Sequence, residues 1–295
     1  MADRLVKSLV YGGQLRAYAV DATETVKTAQ EYHDTWSAAS AALGRALIGT
    51  LLLAEASLKK DGKMTVKING DGPLGGIVVD GNTQGTVKGY VQHPHVHLPL
   101  NEKHKIDVKG AVGTSGFMTV TKDLGLKEPF TGQVPLVSGE LGEDFTYYLA
   151  KSEQIPSAVG LSVFVNDDNT IKTAGGFLIQ VLPGATDEVL DKLEERLKTL
   201  PLVSEMMGQG MGPEEILAEI FGKENLEILE TMPVSYQCDC SKDRFAQALA
   251  SLPEKDIEEM ITKDHGATAL CHFCNKEYHF SEDELRAIAK NAREE

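Results

Sequence analysis

All four cysteines of this 295-residue chain fall within its last 58 residues, as Cys238-Asp-Cys240 and Cys271-His-Phe-Cys274, with 30 residues between the pairs. Thiolates grouped two and two, on loops that can face each other, supply the soft charged ligands that a tetrahedral zinc ion needs. The same sulfurs can instead pair as disulfides, so the pattern predicts a zinc site that can double as a redox switch, against the plainer alternative of four unrelated buried thiols. One spacing is unusual. Cys271 and Cys274 are spaced as in structural zinc knuckles, whereas Asp239 alone separates Cys238 from Cys240. His272 and His279 lie nearby, but with four thiolates available they are assigned to packing or exposed positions.

Zinc contributes about 10–16 kcal/mol in model fingers, comparable to the about 5–15 kcal/mol that holds a whole domain together. A tail this short is therefore expected to fold only with its metal. If each cysteine pair closes on itself, the ligands are consumed, and such short loops exclude few unfolded conformations in return. Oxidation should then unfold the tail.

A hydrophobic content of 42% can fill a core, and the length suits one large domain with a smaller one. The formal net charge of -15, without a compensating basic run, opposes binding to nucleic acid or an anionic membrane. The first residues lack a signal-peptide pattern, so the expected location is cytoplasmic, where paired cysteines point to metal or reversible redox chemistry. The stretch Ala38 to Leu58 is interrupted by Arg45 and Glu55 and reads as a buried helix, not a membrane span. Charge is unevenly spread: residues 1–182 have a net charge of -2, residues 183–231 of -8, and residues 232–295 of -5. The middle stretch is self-repelling and suggests a boundary.

Short alternating runs at Leu15 to Val20, Met64 to Ile68, Gly76 to Val79, Thr86 to Val91, Leu161 to Val165 and Phe177 to Val181 predict strands, with a hairpin turn at Asp167-Asp168-Asn169. The run Thr35 to Lys59 supplies a long helix to cover a sheet. The expected fold class is α+β: a mixed-sheet domain with covering helices over 1–182, an acidic amphipathic helical linker over 183–231, and a small zinc-binding domain over 232–295. In the linker, Val189, Leu190, Leu193 and Leu197 share one helix face, and Ile216, Leu217, Ile220 and Phe221 mark another helix. Between them Met206-Met207-Gly208-Gln209-Gly210-Met211 is a methionine-rich joint. This segment reads either as an ordinary helical hairpin on the domain surface or as a linker that can detach. In the tail, Ser241 caps one helix, Pro253 starts a second, and Ser281 with Glu284 forms a capping box for a third.

These residues resemble those of the redox-regulated 33-kDa heat-shock chaperones. The match lies in both cysteine pairs, Gly70-Asp-Gly-Pro-Leu-Gly75, Asp144 with Tyr147-Tyr148, Ser152-Glu153-Gln154 and Ala174-Gly-Gly-Phe-Leu-Ile-Gln180, in that family's order over essentially the whole chain. The resemblance implies a holdase that is independent of ATP and is not an enzyme. It would be inactive while reduced with one zinc per chain, and activated under oxidative stress, especially with heat, by disulfide formation, zinc release and linker unfolding. It also implies Cys238–Cys240 and Cys271–Cys274 disulfides, unfolded client proteins as partners, a homodimer when active, and hand-over of clients to ATP-dependent chaperones.

Three other patterns compete. Gly70 to Gly75 formally matches a dinucleotide-binding glycine pattern, but a predicted strand follows where the phosphate-binding helix should start. His93, His95, His97 and His104 could group around a metal, though Pro94 and Pro99 favour exposed loop histidines. A thiol-disulfide oxidoreductase using the cysteine pairs is the main enzymatic alternative, and it would place Cys271 and Cys274 at a helix start.

Overall fold

The computed structural model describes residues 2–59 and 61–291, the last of these without its side chain; the outermost residues of the expected spans 1–182 and 232–295 lie outside the described residues. The fold is α+β and divides into two compact units, one reaching to Gln237 and the other starting at Cys238.

In the first unit, β1 (Arg4–Val10) and β2 (Leu15–Asp21) precede α1 (Thr23–His33) and α2 (Ser37–Ser57). Strands β3 (Lys63–Asn69), β4 (Gly76–Asn82) and β5 (Thr86–Val91) form a meander; α3 (Val108–Val112), β6 (Phe117–Asp123) and β7 (Phe130–Pro135) follow. Helix α4 (Gly142–Tyr148) runs into a π turn, Leu149–Glu153, ahead of the hairpin β8 (Ser157–Val165) and β9 (Ile171–Val181). Then come α5 (Asp187–Thr199), α6 (Val203–Gly208), α7 (Pro213–Phe221), β10 (Leu226–Pro233) and β11 (Ser235–Tyr236). One sheet has the antiparallel order β10-β1-β2-β9-β8, and the other the order β11-β5-β4-β3-β6-β7, with only β11 parallel to its neighbour.

Helix α2 packs against strands of both sheets and is apolar on all sides, which is why it is buried almost throughout from Ala38 to Ala54. Among the described residues it is the one helix long and apolar enough to cross a membrane, and it lies in the core. Its glycines allow close packing: Gly49 faces the Phe145 ring, and Gly44 faces Val26 and Val163. The first turn of helix α1 is capped from the residue just before β1, because the Asp3 carboxylate accepts hydrogen bonds from the Thr25 N–H (2.6 Å), the Thr25 hydroxyl (2.7 Å) and the Glu24 N–H (3.1 Å).

The segment expected as a linker over 183–231 has no core separate from the first unit. Val189, Leu193, Met206, Met207, Ile216, Leu217, Ile220 and Phe221 pack onto Val6, Ala17, Ala19, Phe177 and Ile179, a face of the first sheet. Strand β10 extends that sheet by pairing with β1, so the boundary expected at 232 falls within a strand. Arg4 clamps α7 through a two-pronged pair with Glu214, at 3.1 and 2.6 Å.

Two outcomes are expected. Asp144 is fully buried and accepts hydrogen bonds from the N–H groups of Val137, Ser138, Gly139 and Leu141 and from the Ser138 hydroxyl, so Asp144→Ala strands several donors. It should lower the unfolding free energy by about 3 kcal/mol or more in urea titrations; a loss below about 1 kcal/mol would show that the loop satisfies itself some other way. Hydrogen bonding from Arg4 holds the Glu214 carboxyl below the usual range. Its contribution is therefore present above the ordinary carboxylate pKa and lost as pH falls through the lowered value. Hydrogen exchange over 213–221 should accelerate below about pH 4 in the wild type, and a Glu214→Gln variant should show no such acid step.

Candidate metal centre

The second unit is small: α8 (Lys242–Ala250), α9 (Glu254–Thr262), the hairpin β12 (Ala267–Leu270) with β13 (Glu277–Phe280), and α10 (Glu282–Asn291). Its buried core consists of Ile257, Ile261, Tyr278, Phe280 and Leu285, with Phe245, Leu249 and Met260 partly covered around it. The local signals act as the sequence predicts. Ser241 Oγ accepts the Arg244 N–H (3.2 Å), while Glu284 and Ser281 exchange side-chain-to-backbone bonds at 2.9 and 3.3 Å.

Two structures bring the sulfurs together. Cys238 and Cys240 precede α8, and Arg244 holds the intervening Asp239 by its carboxylate (2.6 Å) and its carbonyl (3.2 Å). Cys271 and Cys274 occupy a tight turn at the end of the β12–β13 hairpin. The Cys271 carbonyl there accepts the N–H groups of Cys274 (3.3 Å) and Asn275 (2.8 Å), and Asn275 adopts a left-handed φ of 54°. The four Sγ atoms lie within 4.8 Å of one another; Cys238 to Cys271 is 3.6 Å and Cys240 to Cys274 is 3.4 Å. A tetrahedron of sulfurs each about 2.3 Å from a central ion has edges of about 3.8 Å, so the donor set fits a metal ion in both number and spacing. Cys271 is buried and the other three are half-buried.

The surroundings of the cluster discourage charge on two of its sulfurs. Burial pushes the Cys238 and Cys274 thiols up. Burial acts in the same direction on Cys240, but the Tyr278 hydroxyl and the neighbouring thiols bring it down to about 7. Tyr278 lies 3.2 Å from that sulfur and donates to the Cys240 carbonyl (3.1 Å); its own pKa rises to about 12, chiefly through the Cys240 contact. A bound dication reverses this balance by compensating several thiolates at once. Tyr278 is the site residue that spacing did not reveal. An aromatic residue four positions after Cys274 reads as ordinary core, and half of its role is that.

The competing patterns do not assemble sites. Gly70 and Gly72 press against the backbone of Val112 and Ala111, and Asp71 accepts the N–H groups of Thr114 (2.9 Å) and Ser115 (3.0 Å), so backbone occupies the place a phosphate would need. His95 pairs with Asp34 at 3.0 Å and His97 with Ser37 at 3.2 Å. Among the described residues the cysteines form the one group of three or more such ligands that could hold an ion. His272 and His279 are exposed. The Cys271–Cys274 turn joins two strands, and no helix begins there.

Residues 3–281 match the protein family described as Hsp33 protein. The chain is 67% identical over 293 residues to a 33 kDa chaperonin of Levilactobacillus brevis, covering 99% of each sequence. It is 56% identical over 292 residues to one of Enterococcus faecalis, covering 99% of the chain and 98% of the relative. A crystal structure of a heat shock protein 33 homolog from Thermotoga maritima superposes with a TM-score of 0.92 at 38% identity, over 100% of both chains.

If the four sulfurs act as one ligand set, replacing any one of them with Ser should weaken metal binding at least about a hundredfold in chelator competition, and Tyr278→Phe should weaken it about tenfold. A cysteine whose replacement leaves the affinity unchanged is not a ligand.

Proposed function

The chain belongs to the Hsp33 family and is a chaperone, and from that premise we propose that it is a redox-regulated, ATP-independent holdase switched by zinc at Cys238, Cys240, Cys271 and Cys274. The observation that carries the proposal is the convergence of those four sulfurs within 4.8 Å. Zinc bound there cross-links the start of the second unit to the turn of its hairpin.

The chain's own residues perform the switch. As thiolates, all four cysteines serve as ligands; as two disulfides, Cys238–Cys240 and Cys271–Cys274, none of them does. Forming each disulfide from two thiolates transfers two electrons to hydrogen peroxide, which takes up two protons from solvent and leaves as two waters. The new loops are too short to replace the lost cross-link, so residues 238–291 lose their order, zinc is released, and the acidic segment 183–231 detaches from its sheet. Cys238 follows Gln237, whose backbone N–H donates to the Val87 carbonyl (3.0 Å). Disorder starting at Cys238 therefore begins beside the last backbone anchor of the first unit.

The apolar face under α5–α7 then becomes available to unfolding clients in the cytoplasm. The active form is a homodimer that passes its clients to ATP-dependent chaperones, and it catalyses no reaction of its own.

The reduced, zinc-bound protein should leave the light scattering of a heated client unchanged, whereas prior peroxide treatment with warming should release one zinc per chain and suppress the scattering. Equal suppression by both samples would rule out the switch, and turnover of a small disulfide substrate would support an oxidoreductase instead.

A further inference from the structure

The methionine-rich joint takes no part in the metal site, yet its packing is specific. Helix α6 lies on β8 and β9, tied by a buried hydrogen bond between Ser204 Oγ and Ser162 Oγ at 2.7 Å. Beside it, Met207 fits a notch formed by a missing side chain: a Cβ on Gly175 of β9 would stand 2.5 Å from the Met207 sulfur and 2.6 Å from the Val20 carbonyl oxygen. The sulfur therefore rests on bare backbone, and the polar atom facing the notch is an acceptor.

Met207 also differs from its neighbours in access. Met206 is 1% exposed, whereas Met207 is 8% exposed and is followed by exposed Gly208, Gln209 and Gly210, two of which have no side chain to shield it. Met211 is half-buried, so an oxygen on its sulfur can turn to solvent. An oxygen on the sulfur of Met207, which is only 8% exposed, has less access to water. It would be a strong acceptor set beside the Gly175 backbone and the Val20 carbonyl oxygen, an acceptor that cannot pair with it.

We propose that Met207 is a second oxidant-sensing site, whose conversion to the sulfoxide forces α6 off the first sheet with the cysteines still reduced. The oxidant is a two-electron oxygen donor such as hypochlorous acid: the thioether sulfur gives up an electron pair and gains the oxygen, and chloride and a proton are released. Lifting α6 uncovers part of the apolar face formed by Phe177 and Ile179. The inference does not depend on the metal reading. A sulfoxide survives dithiol reductants that restore the cysteines, so this mark outlasts the disulfides and is reversed only by methionine sulfoxide reductases.

The full-length protein is treated with hypochlorous acid, then with dithiothreitol and zinc until the thiol count is restored, and examined by peptide mass mapping and amide hydrogen exchange. One added oxygen at Met207, with exchange over 203–208 at least tenfold faster, is the expected result. Methionine sulfoxide reductase treatment should restore slow exchange, and Met207→Leu taken through the same cycle should stay within twofold of its untreated rate. The proposal is overturned by a Met207 sulfoxide with unchanged exchange, by a Met207 that stays unoxidised while Met211 reacts, or by equal loosening in oxidised Met207→Leu. If Met207→Leu loosens α6 before oxidation, the repair arm on the wild type decides: persistence of fast exchange after reductase treatment overturns the proposal.

Discussion

The meeting of four sulfurs joins the start of the second unit to the turn of its hairpin. Its apolar core is built from Ile257, Ile261, Tyr278, Phe280 and Leu285. That is a small core for a chain of this length, and domains of this size usually need a staple. A structural metal of this kind contributes about 10–16 kcal/mol, as much as many complete domains possess. On the proposed zinc reading, the order of the unit depends on the chemical state of four atoms. Tyr278 links the two contributions, because its ring stacks on Phe245 at 5.1 Å while its hydroxyl reaches Cys240.

The first unit has the opposite character. Helix α2 lies in apolar surroundings between two sheets, and the Asp144 carboxylate that enters this core is fully paired. The unit's weaker part is the cover over the first sheet, where α6 and α7 span Val203–Gly208 and Pro213–Phe221 and are too short to persist as isolated helices. They stay folded because one face is buried, while the acidic residues of 183–231 repel one another on the other.

Most of this was legible in the sequence wherever the signal was local. The strands of the meander, the long buried helix, the Ser241 cap and the Ser281–Glu284 box all follow from short-range periodicity and side-chain reach. Strands β1, β6, β7 and β10 and helix α1 were not legible. Strand β10 reads Leu-Glu-Ile-Leu-Glu-Thr-Met-Pro, half-exposed and next to helical segments, and it is a strand because β1 pairs with it from more than 200 residues away. Helix α1 starts after Ala22, which has no capping side chain, and the N–H groups of its first turn are taken by Asp21, one residue too early for the usual cap, and by the distant Asp3. The cysteine site was readable because it needs only residue type and spacing; the Tyr278 contact needs the hairpin register, which no spacing encodes.

On the proposed switch, a chaperone inert until damage occurs has to keep apolar surface folded away at low free-energy cost. Deep burial would make release too slow, and open exposure would lead to aggregation. The first sheet is covered on one side by α2 and its core and on the other by short helices. Tyr18 and Val20 of β2 point into the permanent core beneath α2, while Ala17 and Ala19 of the same strand point to the short helices. Alternation along one strand thus gives its inward residues partners in the core beneath α2 and its outward residues partners on the short helices. Leu15, Phe177 and Ile179 supply the apolar bulk of that outward face, and Gly175 leaves the notch that receives Met207.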